Sequence, residues 1–421
     1  MTTLAIIVSD LHMGAGDALD RFAYDDPFRA FCKDVADYCR AHGDSIRFIL
    51  NGDVIDLWTT VPDDELGAGD TANIRDRLEY PATTATKRRK AIKRGCGQID
   101  RILESHPKVC AGLVDVMETP DPEVIYLVGN HDHGMMFPEL QAHFSNRVRD
   151  LGGWSTAPDI RFPGVYENEK LRLYVEHGQQ FSLDSSYTDF FDPSEADMGL
   201  YFLRFVGNRV RALYRDKTTW AVVSEIINWS IAEATGGQAS MLPSLRFLID
   251  YFEARRDGFV PDFSAYGLLQ GLYHEWSSDP DRPPDVLGAA LRDVFRSHPA
   301  PEYSRRLTAS PDDTGFLRTL DIKGSPQLLQ WNENADRYWA GAMHRLSRDD
   351  PGFPRRNPGA ISNVVIGHTH KWRYQFLTAD RVEAGRYFNS GSWTRDNRTP
   401  AYVWVTDQDP KTYRGLKHYP L

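Results

Sequence analysis

The feature that most limits the fold of this chain is a series of short strand-like runs, each of which ends in polar or glycine residues. Four of these runs, all rich in β-branched residues, lie in the first half of the sequence: LAIIVSD, RFILNGD, VIYLVGN and LRLYVEHG. Helix-like segments separate the first three runs, among them FRAFCKDVADYCRAHG and KRRKAIKRGCGQIDRILESH. Strands that alternate with helices are typical of sheets covered by helices. The pattern therefore predicts an α/β fold, in the broad sense that includes α+β.

A different, helix-like sequence pattern replaces these strand-like runs from about residue 181. Segments such as GLYFLRFVGNRVRALYR and WAVVSEIINWSIAEAT have apolar residues at three-to-four spacing, which indicates helices. The β pattern resumes at ISNVVIGHTH and continues through WRYQFLT, GRYFNSGSW and AYVWVT. We therefore expect one core domain, residues 1–180 and 355–421, with a large, mainly helical insert at 181–354.

The composition is that of a packed, acidic protein. Hydrophobic residues make up 41% of the 421 residues and aromatic residues 12%, which is enough for a sizeable core. The formal net charge of −10 repels polyanions at long range, so nonspecific binding to nucleic acid is disfavoured. A phosphorylated substrate is still compatible with this charge, because bound metal ions reverse the field locally.

The sequence predicts a cytoplasmic protein. Its four cysteines show no C-x-x-C spacing, which fits reduced thiols better than a disulfide framework. The N-terminal apolar run, LAIIV, has no basic residues before it and reads as a strand, not as a signal peptide. No apolar run approaches the roughly 20 residues of a membrane span. Peripheral membrane contact through an arginine-punctuated aromatic helix in the insert stays open.

Potential metal ligands follow five of the predicted strands, at the strand ends where α/β folds place their sites. They are Asp10 and His12 in VSDLH, Asp53 and Asp56 in LNGDVID, Asn130, His131 and Asp132 in VGNHD, His177 in VEHG, and His368 and His370 in VVIGHTH. Oxygen and imidazole ligands without a thiolate suit Mn²⁺, Fe or Zn²⁺. These potential ligands are too many for one ion. We therefore expect two ions with a bridging carboxylate.

The spacing of His368 and His370 supports the same interpretation. In a strand or an extended turn, side chains at alternate positions face the same side. We therefore expect both imidazoles to point into one space.

The ordered motifs D-x-H, G-D-x-x-D, G-N-H-D, H-G and G-H-x-H resemble those of the calcineurin-like metallophosphoesterase superfamily. The resemblance covers about residues 4–180 and 360–395 and implies a β-sandwich flanked by helices, with two metal ions, Mn²⁺ first among the candidates. It places Asp10, His12, Asp53 and His370 on one ion, and it places Asn130, His177 and His368 on the other, with Asp53 as the bridge. The insert would then form a cap over the active site.

The resemblance also implies an activity. A hydroxide that bridges the two ions would attack phosphorus, with His131 as the general acid for the leaving group and Asp56 holding the His131 tautomer. The expected reaction is hydrolysis of a phosphodiester, pyrophosphate or phosphomonoester bond in a small or lipid-linked substrate. The turn FNSGSW, by contrast, is expected to be structural.

Two departures leave the substrate open. Phosphoprotein phosphatases of this superfamily have an arginine where this chain has Leu57. The stretches GDVIDLW, HGQQ and GHTHKW are more similar to UDP-diacylglucosamine pyrophosphohydrolases, but those enzymes commonly have an arginine at the position of His131 and a much smaller insert. A nuclease or cyclic-nucleotide phosphodiesterase is the alternative enzyme, and a non-catalytic interaction module on the same fold is the alternative of another class.

Overall fold

A computed structural model gives the structure of the chain. It describes residues 2–17, 20–60, 84–154, 160–181, 187, 190–194, 338–339, 342–343, 361–379, 382–395, 397, 399–407 and 413–418. Most of the expected insert, 181–354, lies outside the described residues, and so do the expectations that it is mainly helical and forms a cap.

The described residues form four α-helices and eleven strands. The helices are α1 (Asp25–His42), α2 (Ala85–Ser105), α3 (Pro107–Met117) and α4 (Pro138–Gly152). The strands are β1 (Thr3–Val8), β2 (Ser45–Asn51), β3 (Pro122–Leu127), β4 (Ile160–Arg161), β5 (Tyr166–Asn168), β6 (Leu173–Val175), β7 (Asn363–Ile366), β8 (Arg373–Ala379), β9 (Val382–Asn389), β10 (Ala401–Thr406) and β11 (Tyr413–His418).

The strands form two mixed sheets. The first has the order β11-β10-β1-β2-β3-β4, in which β1 to β4 run parallel and β10 pairs antiparallel with β1. The second has the order β5-β6-β7-β9-β8, in which β6, β7 and β9 run parallel. Because the central strands of each sheet are parallel, their carboxyl ends lie at a common edge.

Alternation along the strands separates two cores. In β1, Leu4, Ile6 and Val8 face the helices, where they pack with residues of α1 to α4. Ala5 and Ile7 face the other way, into a core shared with residues of β6, β7, β9 and β10. The two sheets therefore face one another, with helices on the outer face of the first sheet.

The coarse expectation of a mixed α/β fold is confirmed, with helices against the first of the two sheets. Every strand predicted from the β-branched runs is present, and so are the two helices predicted between the first three runs. Among the described helices, none combines the length and apolarity needed to cross a membrane.

Candidate metal centre

The side chains that the sequence singles out come together beyond the carboxyl ends of strands from both sheets. Most of them form three groups, and within each group the ligating atoms lie within 4.8 Å of one another. The first group is Asp10, His12, Asp53 and His370; the second is Asp53, His177 and His368; the third is His12, Asp56 and His131. All of these side chains are buried or half-buried, and Asp53 belongs to both the first and the second group. Such groups could hold a metal ion.

The first group is centred on two imidazole nitrogens. His12 Nε2 lies 3.0 Å from His370 Nε2 and 3.5 Å from Asp53 Oδ2. His370 Nε2 lies 3.3 Å from Asp10 Oδ1. Two nitrogens and two carboxylates thus converge on one small volume, with the mixed oxygen and nitrogen donors that Mn²⁺, Fe and Zn²⁺ accept.

The second group shares the Asp53 carboxylate. His177 Nε2 lies 3.2 Å from Asp53 Oδ2, while His177 Nδ1 donates to the carbonyl of Asn51 at 2.7 Å. That hydrogen bond turns Nε2 toward the carboxylate, as the outer partner of a metal-binding histidine does. His368 Nδ1 lies 3.1 Å from Asn130 Oδ1, so the predicted ligand Asn130 also adjoins this group.

Buried polar atoms without partners test whether a cation fits here. Within the described part of the chain, His12 Nδ1, His177 Nε2, His131 Nδ1 and Asp56 Oδ2 are buried and have no hydrogen-bond partner. A buried polar atom left unsatisfied costs about 1–3 kcal/mol. A cation on the ligating nitrogen of His177 would remove that penalty, so the residues fit a metal ion.

The backbone at the ligands adopts an unusual conformation. Asp10, His12, Asp53, His368 and His370 all have positive φ, between 50° and 65°. Non-glycine residues rarely adopt this left-handed region, and when they do they cluster at functional sites. Two described residues outside the groups, Asp121 and Arg172, share this conformation, so it supports the chemical argument without replacing it.

The extended backbone expected at His368 and His370 is wrong, whereas their separation into two groups agrees with the resemblance. β7 ends at Ile366, and His368 and His370 then follow a left-handed turn with φ of 65° and 61°, not an extended backbone. The turn sends the two rings to different groups, since His368 joins His177 and Asn130 whereas His370 joins the first group.

The charges of the ligands follow from burial and from their neighbours. Burial lowers the pKa of His12 to about 4 and that of His368 to about 3, so both rings are neutral at pH 7 and have a lone pair to offer. Burial opposes ionisation of Asp53, but His177 and His131 outweigh it and hold its pKa well below the usual range. The pKa of His177 rises to about 10, because Asp53 and Asp10 outweigh the effect of burial. The ring is therefore protonated without a metal, and a cation on Nε2 would displace that proton.

His131 and Asp56 form the third group with His12 and lie beside the first two groups. His131 Nδ1 lies at ion-pair distance, 3.2 Å, from Asp56 Oδ1, without the alignment of a hydrogen bond. Burial lowers the pKa of His131, but Asp56 and Asp53 outweigh it, so the pKa is raised. The His131 side chain is 17% exposed, whereas His12 and His177 are fully buried.

Asp132 ties two of the ligand loops together. Its carboxylate accepts from the backbone nitrogens of Val54 at 2.8 Å and Gly129 at 2.6 Å, and from the hydroxyl of Tyr126 at 2.6 Å. Burial and the nearby Asp53 raise the pKa of Asp132 to about 6. The aspartate therefore holds the loop after β2 against the loop after β3.

The FNSGSW turn supports the histidine loop, in keeping with the structural role expected for it. The amide of Asn389 donates to the carbonyl of Gly367 at 2.7 Å and to the hydroxyl of Thr369 at 3.0 Å. Both acceptors belong to neighbours of His368 in the chain, so these hydrogen bonds support the loop that carries this histidine.

Two aromatic residues at the site were not predicted from the sequence. The ring of Tyr187 stacks on His133 at 3.7 Å, and its hydroxyl donates to the carbonyl of Asn130 at 3.2 Å. The indole of Trp58 stacks on His131 at 3.9 Å. Trp58 ends the stretch GDVIDLW, but the motif does not show that its ring would stack on His131, and no motif marks Tyr187.

Comparisons with known proteins add no assignment. The chain matches no protein-family model, and it matches no curated protein. The resemblance to the metallophosphoesterases therefore rests on the five motifs and on the arrangement of their residues.

Proposed function

We propose that this protein is a metal-dependent phosphoesterase of the calcineurin-like metallophosphoesterase superfamily that uses two divalent cations, with Mn²⁺ as the first candidate. The observation that carries the proposal is the sharing of Asp53 between two ligand groups, with His131 beside them. Asp10, His12, Asp53 and His370 would hold one cation, and Asp53, Asn130, His177 and His368 would hold the other. Residues 1–180 and 355–421 would form the catalytic core.

The charge balance favours a phosphate ester as substrate. Two divalent cations contribute +4 and the carboxylates of Asp10 and Asp53 contribute −2, which leaves a net charge of +2. When bound, the cations supply Lewis-acid polarisation of the phosphoryl oxygens and stabilise the charge that develops there. An acidic protein can thus attract an anionic group to this one site.

His131 has the position of a general acid. It is the most exposed histidine of the third group, and Asp56 lies against its Nδ1, so its Nε2 is the nitrogen left to deliver a proton to the departing alkoxide. The carboxylates of Asp56 and Asp53 favour the protonated ring that this role requires. Such proton transfer is typically worth about 10²–10⁴-fold in rate.

The substrate is a phosphodiester, a pyrophosphate or a phosphomonoester, in a small or lipid-linked molecule. The site chemistry suits all three, because each presents phosphoryl oxygens to the cations and an alkoxide or phosphate leaving group to His131. The experiment below separates diesters from monoesters.

The test is hydrolysis of bis-p-nitrophenyl phosphate beside p-nitrophenyl phosphate by the full-length, Mn²⁺-loaded protein. We expect metal-dependent turnover that favours the diester, is abolished by Asp53→Asn, and falls by about 10²-fold in His131→Ala. Circular dichroism and metal content of each variant serve as controls for folding and loading. A preference for the monoester would indicate a phosphatase. Bound Mn²⁺ without turnover of either ester would refute the catalytic proposal and favour an interaction module.

A further inference from the structure

We propose that Trp58 is a positioning residue for His131, which fixes the plane of the imidazole so that Nε2 faces the leaving group. The inference rests on the proposed function. Its first observation is the stack itself, in which the rings of Trp58 and His131 lie 3.9 Å apart between centroids and 27° apart in plane. Trp58 is only 6% exposed, so the indole is committed to this contact and not to solvent.

Three neighbours of His131 restrict it in complementary ways. Asp56 Oδ1 approaches Nδ1 at 3.2 Å, which fixes the edge of the ring. The ring of His12 approaches edge-on, with centroids 4.5 Å apart and planes at 88°. Neither contact alone prevents the imidazole from tilting about the line to Asp56. The indole of Trp58 covers the face of the ring and prevents that tilt.

The same carboxylate organises both members of the stack. Asp56 Oδ1 accepts from the backbone nitrogens of Trp58 at 3.1 Å and Thr59 at 3.0 Å, while it contacts His131. In addition, the backbone nitrogen of Leu57 donates to the carbonyl of His131 at 3.2 Å. These contacts hold the loop that carries Trp58 directly against His131, the residue that the indole covers.

A buried glutamine of α2 holds this loop from the other side. The amide of Gln98 donates to the carbonyl of Leu57 at 2.7 Å and to the carbonyl of Thr60 at 2.6 Å, on either side of Trp58. Gln98 is itself buried. The indole is therefore anchored to a helix, which is the kind of rigid support that a preorganised site requires.

The buried indole of Trp58 has its described ring contact at the candidate site. Among the described residues, Trp58 is not a member of the cluster between the helices and the first sheet or of the cluster between the two sheets. Its ring contact among the described residues is with His131. Because the described ring partner of this buried tryptophan is the proposed general acid, the indole is placed to set the geometry of that acid.

The expected consequence is a defect that depends on the leaving group. A displacement of about 1 Å at a catalytic group can cost about 10²-fold. Help from a general acid matters most when the leaving group is a poor one, so diphenyl phosphate needs His131 more than bis-p-nitrophenyl phosphate does. Loss of the stack should therefore lower kcat more for diphenyl phosphate than for bis-p-nitrophenyl phosphate, by about an additional tenfold, with little change in KM.

The experiment compares Trp58→Leu and Trp58→Phe with Trp154→Phe, in full-length, Mn²⁺-loaded protein. Trp58→Phe keeps a ring over His131 and should restore most of kcat for diphenyl phosphate. Trp154→Phe removes a tryptophan near the end of α4 and should leave both esters unaffected. Gln98→Leu removes both loop hydrogen bonds without changing the indole and should give a weaker form of the Trp58→Leu defect, which keeps the proposal testable if Trp58→Leu does not fold.

A second readout needs neither metal nor turnover. In histidine-labelled protein, ring-current shifts from the indole should displace the His131 ring signals, which are assigned by their loss in His131→Ala. The displacement should vanish in Trp58→Leu and persist in Trp154→Phe.

The outcomes separate the two proposals. If wild type turns over neither ester, the proposed function fails and the role of Trp58 fails with it. If His131→Ala shows the dependence on the leaving group but Trp58→Leu loses kcat equally for both esters, or loses none, the role of Trp58 alone is refuted.

Discussion

At the scale of single residues, the left-handed backbone of the candidate ligands is the strongest constraint on the geometry of this site. Each non-glycine residue in this conformation costs about 1–3 kcal/mol, and five of the described residues that adopt it lie in the first and second groups. Hydrogen bonds to the backbone nearby offset part of the strain. The nitrogen of His368 donates to Asp10 at 3.1 Å, and the nitrogen of His131 donates to Asp53 Oδ1 at 2.8 Å. The carboxylates are thereby held before any ligand arrives.

Close approach of the backbone explains why glycine precedes Asn130. A β-carbon on Gly129 would lie 2.5 Å from the backbone nitrogen of Asp53 and inside van der Waals contact with its carboxylate. We expect Gly129→Ala to lower the free energy of unfolding by about 1–3 kcal/mol and to weaken Mn²⁺ binding, because the shared ligand must move. Urea unfolding and metal content after dialysis measure both effects.

A matched substitution is available in α2. A β-carbon on Gly97 would meet nothing within 4 Å, so Gly97→Ala should raise the free energy of unfolding by up to about 1 kcal/mol. If both alanine variants behaved alike, the contact between Gly129 and Asp53 would have no energetic weight.

At the scale of elements, a buried histidine joins the α2–α3 junction to the segment after the first metal motif. His106 Nε2 lies 2.7 Å from Asp20 Oδ2, and its Nδ1 lies 3.0 Å from Asp25 Oδ1 at the start of α1. Asp20 in turn accepts from the backbone nitrogens of Gly14 and Phe22 at 3.0 and 2.9 Å. The pair thus anchors the chain that leaves the D-x-H motif.

This junction predicts a loss of stability in alkali. Burial opposes the charged imidazole of His106, but Asp20 and Asp25 outweigh it and raise its pKa to about 9. Since this folded value lies above the unfolded value of about 6.5, the stabilisation is complete below pH 6.5 and is lost as the pH rises through 9. We expect wild type to lose up to about 3 kcal/mol over this range, and His106→Gln to lose much less. The measurement is the free energy of unfolding in urea at both ends of this pH range. If the two proteins lost the same free energy of unfolding, the charged His106 would not be the source of the loss.

The elements also show what the sequence could and could not predict. The short β-branched runs LAIIV and RFIL predicted β1 and β2, and the polar residues after these runs, Asp10 and Asp53, meet in the first group. The left-handed turn at His368 could not be predicted, because such turns have a sequence signature mainly when glycine supplies them. The stack of Trp58 on His131 was equally hidden, because it depends on a hydrogen bond between a loop and a helix far apart in sequence.

At the scale of the whole molecule, the candidate centre connects the two sheets. Asp10, Asp53 and Asn130 follow β1, β2 and β3 of the first sheet, whereas His177 and His368 follow β6 and β7 of the second. A cation held by ligands from both sheets would link the sheets at the edge where their inter-sheet core ends. Metal binding should therefore stabilise the native state as a whole.

The last prediction concerns this coupling. At a free Mn²⁺ concentration of 100 times Kd, binding to the native state alone adds about 2.7 kcal/mol. With an unfolding entropy of about 2.1 cal/mol/K per residue over 421 residues, the Tm should rise by about 3 °C, and EDTA should reverse the rise. Differential scanning calorimetry measures it. In Asp53→Asn, which lacks the shared carboxylate, the rise should be absent. An equal rise in that variant would show that Mn²⁺ binds outside the two groups. A cation that does not bind Asp53 would not be expected to link the two sheets at this site.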